Sequence, residues 1–349
     1  MSLGSYLCSA PKAELHVHLE GSIRPATLLE LARRNNVPLP ADTEEGLRRL
    51  FAFRDFDHFI EMYVICTKCL RTTEDYELVT YEFGAEMARQ HVRYAEVTFS
   101  PSTNWVFGVP QEVWWPGLIR GRERARADFD AEINWVFNIV RSWTDASRTV
   151  PTADYTTSVA IEGMADGVVA LGLGGLEVGR PPEPFAPWFA RARAAGLHSD
   201  PHAGEHGGPE SVWGALRALG AERIGHGVRA IEDPTLVEHL VAHRIPLEVN
   251  PTSNVCLGVY PDLAAHPLRR LHDAGVIITV NSDDPPLFNT TLNDEMALLA
   301  DPFDLPISAI DAILLNGVQH CFLPPEQRRA MKAAFVAELD VLKGVHLAA

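Results

Sequence analysis

Short apolar runs alternate with longer amphipathic stretches along this chain. The apolar runs near residues 14–18, 92–99, 134–140, 168–174, 197–202, 223–226, 245–249 and 276–281 have strand-like length and composition. Between them, stretches such as 56–70, 75–89, 183–195, 209–219, 234–243 and 268–274 space their apolar residues as helices do. Asp233 followed by Pro234 is a cap-then-proline helix start. Gly275 stands where a left-handed helix end is expected. Eight β-then-α units without a repeat period or a linker predict a parallel sheet covered by helices. The run Val276-Ile-Ile-Thr-Val280, apolar almost throughout, predicts burial of that sheet on both faces.

An open doubly wound sheet and a closed barrel both satisfy this order. Gly172-Leu-Gly-Gly175 hints at a dinucleotide loop, but the sixth position of G-x-G-x-x-G is Glu177, so the motif is incomplete. Residues capable of chemistry gather instead at the ends of the first, fourth, fifth, sixth and eighth apolar runs. A barrel collects strand ends at one face, whereas an open sheet spreads them along an edge. The expected fold is therefore α/β, a (β/α)8 TIM-type barrel with additional helices, as one domain over residues 1–349.

Composition narrows the function classes. The 349 residues are 46% hydrophobic and 22% charged, as in a globular protein rather than a disordered one. No apolar run approaches the ~20 residues that span a bilayer, and the N-terminus lacks the basic-then-apolar order of a secretory signal. Forty-six acidic against 30 basic residues disfavour nucleic-acid binding and suit a neutral small ligand. Cys8, Cys66, Cys69, Cys256 and Cys321 are scattered and odd in number, which points to a reducing compartment, the cytoplasm by expectation. Lysine occurs only at Lys12, Lys68, Lys332 and Lys343. A mid-chain Schiff base, or a modified lysine bridging two metals, has no candidate.

Four clusters carry the chemistry. His16-Val-His18 places two imidazoles on one side of a strand end, half of a tetrahedral metal site. His202-Ala-Gly-Glu205-His206 sets a carboxylate beside imidazoles across a sharp turn. Gly225-His226-Gly227 leaves room for a ligand against the backbone. Asn281-Ser-Asp283-Asp284-Pro285 offers two adjacent acids that point in different directions. Each cluster alone also suits a solvated turn; no packing requirement explains the four together. A rival zinc pattern, His18-Leu-Glu20 with Cys66-Thr-Lys-Cys69, lacks the proline before its first cysteine and puts both thiols on the buried side of a helix.

These clusters resemble the adenosine deaminase family, within the amidohydrolase-type metal-dependent barrels. The likeness runs from Pro11-Lys-Ala-Glu-Leu-His-Val-His-Leu-Glu-Gly-Ser22 through His202-Ala-Gly-Glu205, Arg223-Ile-Gly-His-Gly-Val228 and Asn250-Pro-Thr-Ser-Asn254. It continues to Asn281-Ser-Asp-Asp-Pro285 and Thr291-Leu-Asn-Asp-Glu295, and so covers nearly the whole chain. The resemblance implies one Zn2+ on His16, His18, His202 and Asp283, although this donor set tolerates other divalent ions. It implies Glu205 as the acid that protonates purine N1 and His226 as the base that orients or deprotonates a zinc-bound water. Asp284 is then the contact to N7 and Gly175 the backbone donor to N3, with His18 and Glu20 also facing the substrate. The chemistry is coherent: zinc brings the pKa of water toward ~7, and a protonated Glu205 requires burial.

Two positions depart from the adenosine pattern. Glu20 stands where the family usually has the aspartate that meets the ribose 5′-hydroxyl, and Gly175-Leu176-Glu177 stands where it usually has Gly-Asp-Glu. Glu20 and the run Glu177-Val-Gly179 with Pro181-Pro182 look like the adenine deaminase branch, whereas Ile224-Gly225-His226 and Pro251-Thr-Ser-Asn254 look like the nucleoside branch. The expected substrate is an adenine-based nucleoside, adenosine or a 5′-modified analogue such as 6-aminodeoxyfutalosine. Free adenine is the alternative.

Overall fold

A computed structural model describes residues 2–53, 55–141 and 146–347 of the chain. Its strands are β1 (Lys12–His18), β2 (Val92–Phe99), β3 (Glu132–Val140), β4 (Val168–Gly174), β5 (His198–Ala203), β6 (Ile224–His226), β7 (Leu247–Val249) and β8 (Ile278–Val280). They pair in sequence order, each parallel to the next. A parallel bridge between Val17 and Asp283 joins the last strand region to the first. The protein is a (β/α)8 barrel, as the alternation of elements predicts.

The bounds of β2 and β4 match the sequence expectation, and the others agree to within a residue or two. The segment 183–195 divides into a 3-10 turn, Glu183–Phe185, and a helix, Ala186–Ala195. Proline at the start of that helix has no N–H to continue the ladder from the turn. The segment 209–219 begins as an α-helix, Pro209–Gly214, and ends as a π-turn, Ala215–Leu219. Asp233 caps the helix Pro234–His243 by accepting from the Thr235 N–H at 2.9 Å, and Gly275 adopts φ +89°. Among the described residues no helix is long and apolar enough to cross a membrane.

Side chains stitch the seam between β8 and β1. Asp283 donates its N–H to the His16 carbonyl (3.1 Å) and accepts the His18 N–H at its own carbonyl (2.8 Å). Below that bridge, Leu15 N–H donates to Asn281 Oδ1 (2.8 Å), and Ser282 donates both its N–H and its hydroxyl to Glu14 Oε1 (3.0 and 2.5 Å). Buried carboxyl and carboxamide groups thus supply acceptors that a regular ladder would take from the backbone.

The barrel lumen is charged. Arg223, 1% exposed, lies 2.5 Å from Glu96 Oε2 and donates to Asp200 Oδ2 (2.7 Å) and Glu248 Oε1 (2.6 Å). These acids sit on β2, β5 and β7, which do not neighbour one another, so only a point inside the ring reaches all three. A buried ion pair stripped of one partner is far costlier than an intact one. Arg223→Met is therefore expected to lower unfolding stability by roughly 3–5 kcal/mol, read as a shifted urea midpoint. A shift too small to separate from wild type would show that the cluster does not hold the lumen together.

Candidate active site

The C-terminal ends of the strands converge on one cavity of about 220 Å³. His18, Gly175, His202, Glu205, His226, Asp283 and Asp284 all line it, from five strand ends far apart in sequence. His16 lies just beneath, 2% exposed. The left-handed backbone at His226 (φ 60°) and Asp283 (φ 63°) turns the chain out of β6 and away from β8 at the points where their side chains are needed. Gly225 gives His16 its place, because a Cβ there would stand 2.8 Å from the imidazole Cε1.

Three imidazoles and one carboxylate crowd together. His16 Nε2 and His18 Nε2 lie 3.4 and 3.3 Å from Asp283 Oδ1, and His18 Nε2 lies 3.2 Å from His202 Nε2. His16, His18 and Asp283 each place a ligand-capable atom within 4.8 Å of the others. The tautomer of His16 is fixed from outside. Glu248, held ionised below its usual range against the effect of burial by Arg223 and His16, accepts from His16 Nδ1 at 2.9 Å. The hydrogen bond from Nδ1 to Glu248 leaves Nε2 as the lone-pair nitrogen, which among the described residues is buried without a hydrogen-bond partner. A partnerless nitrogen facing two more imidazoles and a carboxylate fits a divalent cation, and zinc suits this N3O donor set. Ser253 Oγ donates to Asp283 Oδ2 at 2.6 Å and holds the carboxylate in that orientation.

Two carboxyls at the cavity wall have the opposite character to Asp283. Burial, reinforced by Asp283 and Glu177, pushes the Glu205 carboxyl well above its usual range. Burial and Asp283 do the same to Asp284. Both are suited to carry a proton at neutral pH. Asp283 goes the other way: burial alone would raise it, but the close approach of His16 and His18 and the surrounding imidazoles take it well below. Glu205 Oε1 and Asp283 Oδ2 each lie 3.8 Å from His226 Nε2.

Glu20 does not reach the cavity wall, contrary to the expectation from its place after His18-Leu19. Its side chain is fully buried, with Oε1 accepting from the Ser100 N–H (3.2 Å) and Oε2 from the Tyr63 hydroxyl (3.2 Å). A buried carboxyl takes the donors within reach, and here they lie behind the wall that Tyr63 forms. Glu177 also acquires a definite place. It accepts from the backbone N–H groups of Gly204 (2.6 Å), Glu205 (3.0 Å) and Gly207 (2.7 Å), and so fixes the loop that carries Glu205. Its separation from Glu205 in sequence hides that contact.

The roof of the cavity comes from the helix Phe56–Lys68. Phe56, Phe59, Ile60, Tyr63 and Val64, spaced as one helical face, line the pocket. Cys66 and Cys69 are buried free cysteines, and burial pushes the Cys69 thiol up to about 12. They are not poised as thiolate ligands, in keeping with their reading as small hydrophobes.

A profile of the adenosine deaminase family matches residues 11–337. The chain is 42% identical to an aminodeoxyfutalosine deaminase of Streptomyces avermitilis over 349 residues, covering 99% of this chain and 95% of the relative. It is 41% identical to an adenine deaminase of Cupriavidus necator, covering 97% and 94%. Among solved structures, an adenine deaminase from Arthrobacter aurescens superposes with a TM-score of 0.86 at 31% identity, covering 95% of this chain and 98% of that one. An amidohydrolase from Burkholderia ambifaria with bound Zn gives 0.87 at 26% identity, covering 99% and 95%. The barrel, the convergent strand ends and these matches over nearly the full length agree: this chain belongs to the adenosine deaminase family.

Proposed function

We propose that this chain is a zinc-dependent hydrolase that removes the 6-amino group of an adenine-based nucleoside. Water replaces the amine, ammonia leaves and a 6-oxo purine remains. The observation that carries this reading is the convergence of three imidazoles and Asp283 at one cavity that also holds the buried carboxyl of Glu205, pushed well above its usual range. The relatives named for deamination of adenine-type compounds support it. Residues 1–349 act as one hydrolase domain in this reading.

His16, His18, His202 and Asp283 would hold the ion, which when bound makes water acidic enough to act as a nucleophile near pH 7. Glu205 donates its proton to ring N1 as charge builds there. Asp284 lines the cavity, and its Oδ1 has no hydrogen-bond partner among the described residues. Kept neutral by burial, it can donate to N7, a pure acceptor. The Gly175 N–H faces N3.

His226 receives its tautomer through a relay that begins at a backbone amide. Leu268 N–H donates to His266 Nδ1 (3.2 Å), so the His266 proton sits on Nε2 and goes to Asn254 Oδ1 (3.0 Å). Asn254 Nδ2 then donates to His226 Nδ1 (3.1 Å), and Asn250 Nδ2 does the same (3.2 Å). With Nδ1 occupied as acceptor, neutral His226 carries its proton on Nε2, toward Glu205 and Asp283. In that form it orients the attacking oxygen by donating to it. Burial and the neighbouring His16 and His18 hold the imidazole well below its usual range, which keeps it neutral.

The substrate on this reading is adenosine or a 5′-modified analogue such as 6-aminodeoxyfutalosine. One observation favours free adenine as the second reading: Glu20, the residue expected at the sugar end, is sealed behind Tyr63.

Kinetics on adenine, adenosine, 2′-deoxyadenosine, methylthioadenosine and 6-aminodeoxyfutalosine separate these substrates. The 5′-modified idea is lost if adenosine has the highest kcat/KM, and a preference for adenine selects the second reading. Glu205→Gln is expected to lower kcat by roughly 10²–10⁴-fold with metal content unchanged. Near-normal turnover would remove its role as acid. The relay has its own pH signature. Burial takes the His266 imidazole down to about 3, so below pH ~6.5 the unfolded chain binds a proton that the folded chain refuses. Stability therefore falls as pH falls, by roughly 2 kcal/mol between pH 7 and pH 5. Urea titrations should show that His266→Gln lacks this part of the decline.

A further inference from the structure

The glycine run that ends β4 has a use that a phosphate loop does not explain. Asn138 on β3 pairs in register with Gly172 on β4. A Cβ at Gly172 would stand 3.0 Å from Asn138 Oδ1, and one at Gly174 would stand 2.6 Å from Asn138 Nδ2. Two bare α-carbons therefore make the slot in which the Asn138 carboxamide lies. That carboxamide is 3% exposed and lines the active-site cavity with Gly175, Ser100 and Thr103. Its Oδ1 is buried and has no hydrogen-bond partner among the described residues. Nearly all buried polar groups are paired, so a cavity-lining carboxamide with an unmet acceptor is a place where a bound ligand can supply the partner.

We propose that Asn138 is a specificity-determining residue whose carboxamide hydrogen-bonds the group carried at N9 of the purine. The inference rests on the adenine-type reading above. With Glu205 at N1, Asp284 at N7 and the Gly175 N–H at N3, the ring edge beside Gly174 and Gly175 is the N3–N9 edge. N3 is already served by Gly175. The polar group left for Asn138 is the 2′-hydroxyl of a nucleoside or the N9–H of a free base. Both offer a hydrogen bond from the same side of the ring, and matched analogues tell them apart.

The test compares wild type with Asn138→Leu, which keeps the volume and removes the hydrogen bond. Kinetic constants are measured for two pairs, adenosine with 2′-deoxyadenosine and adenine with 9-methyladenine, alongside metal content and melting temperature. Wild type is expected to prefer the hydrogen-bonding member of one pair by roughly 10–100-fold in kcat/KM, and the variant to lose that preference. The first pair responding identifies the hydroxyl, and the second identifies N9–H. An equal loss on both members of each pair, or no loss, overturns the assignment. The wild-type comparison decides on its own if the variant does not fold: no preference in either pair refutes the proposal. If wild type turns over only a 5′-modified nucleoside, that compound and its 2′-deoxy form replace the first pair; should it deaminate none of these compounds, the adenine-type reading fails first and takes the assignment with it, an outcome distinct from turnover without preference.

Discussion

Closure of the barrel at Asp283 is the constraint on which the site depends. One residue binds β1 through both backbone groups and aims its carboxylate at the two histidines of that same strand. Its left-handed φ of 63° lets the backbone and the side chain serve both purposes. Ring closure and ligand convergence are thus a single geometric condition. A slip of this seam by one residue would open the barrel and turn the carboxylate away from His16 and His18 together.

Charge in the lumen supports that closure from below. Arg223 gathers Glu96, Asp200 and Glu248 from three strands, and Glu248 passes the constraint upward by taking the His16 proton. The cation is fully sequestered from water, so its carboxylates have no solvent to fall back on. Above this salt-bridged layer, burial at the cavity wall pushes the Glu205 and Asp284 carboxyls well above their usual range. Neighbouring acids pushed in opposite directions mark a division of labour: Asp283 stays anionic and suited to a cation, while Glu205 and Asp284 remain able to donate protons. Coupling of this kind also explains why the apolar roof matters, since water admitted beneath Phe56 and Phe59 would weaken each of these interactions.

Positioning comes from groups that never meet the cavity. Glu177 ties down the amides of Gly204, Glu205 and Gly207, and the path from Leu268 through His266 and Asn254 decides which nitrogen of His226 bears the proton. These groups start from backbone donors, whose direction cannot be reversed. The proton positions in the site are therefore set by the chain trace and not by local preference.

Much of this was legible in the linear chain. Alternation of apolar runs and amphipathic stretches sufficed for eight strands in parallel, because helical and strand periodicities are local properties. Residue types at strand ends marked His16, His18, His202, Glu205, His226, Asp283 and Asp284, because a barrel sends every strand end to one face. Other features needed the folded structure: the partners of Glu20, the clamp by Glu177, the hold of Glu248 on His16, the tautomer of His226 and the slot for Asn138. Each depends on which atoms meet across strands or loops far apart in sequence. Periodicity and residue type are carried by neighbours along the chain; hydrogen-bond partners and protonation follow from burial and distance, which exist only after the ring has closed.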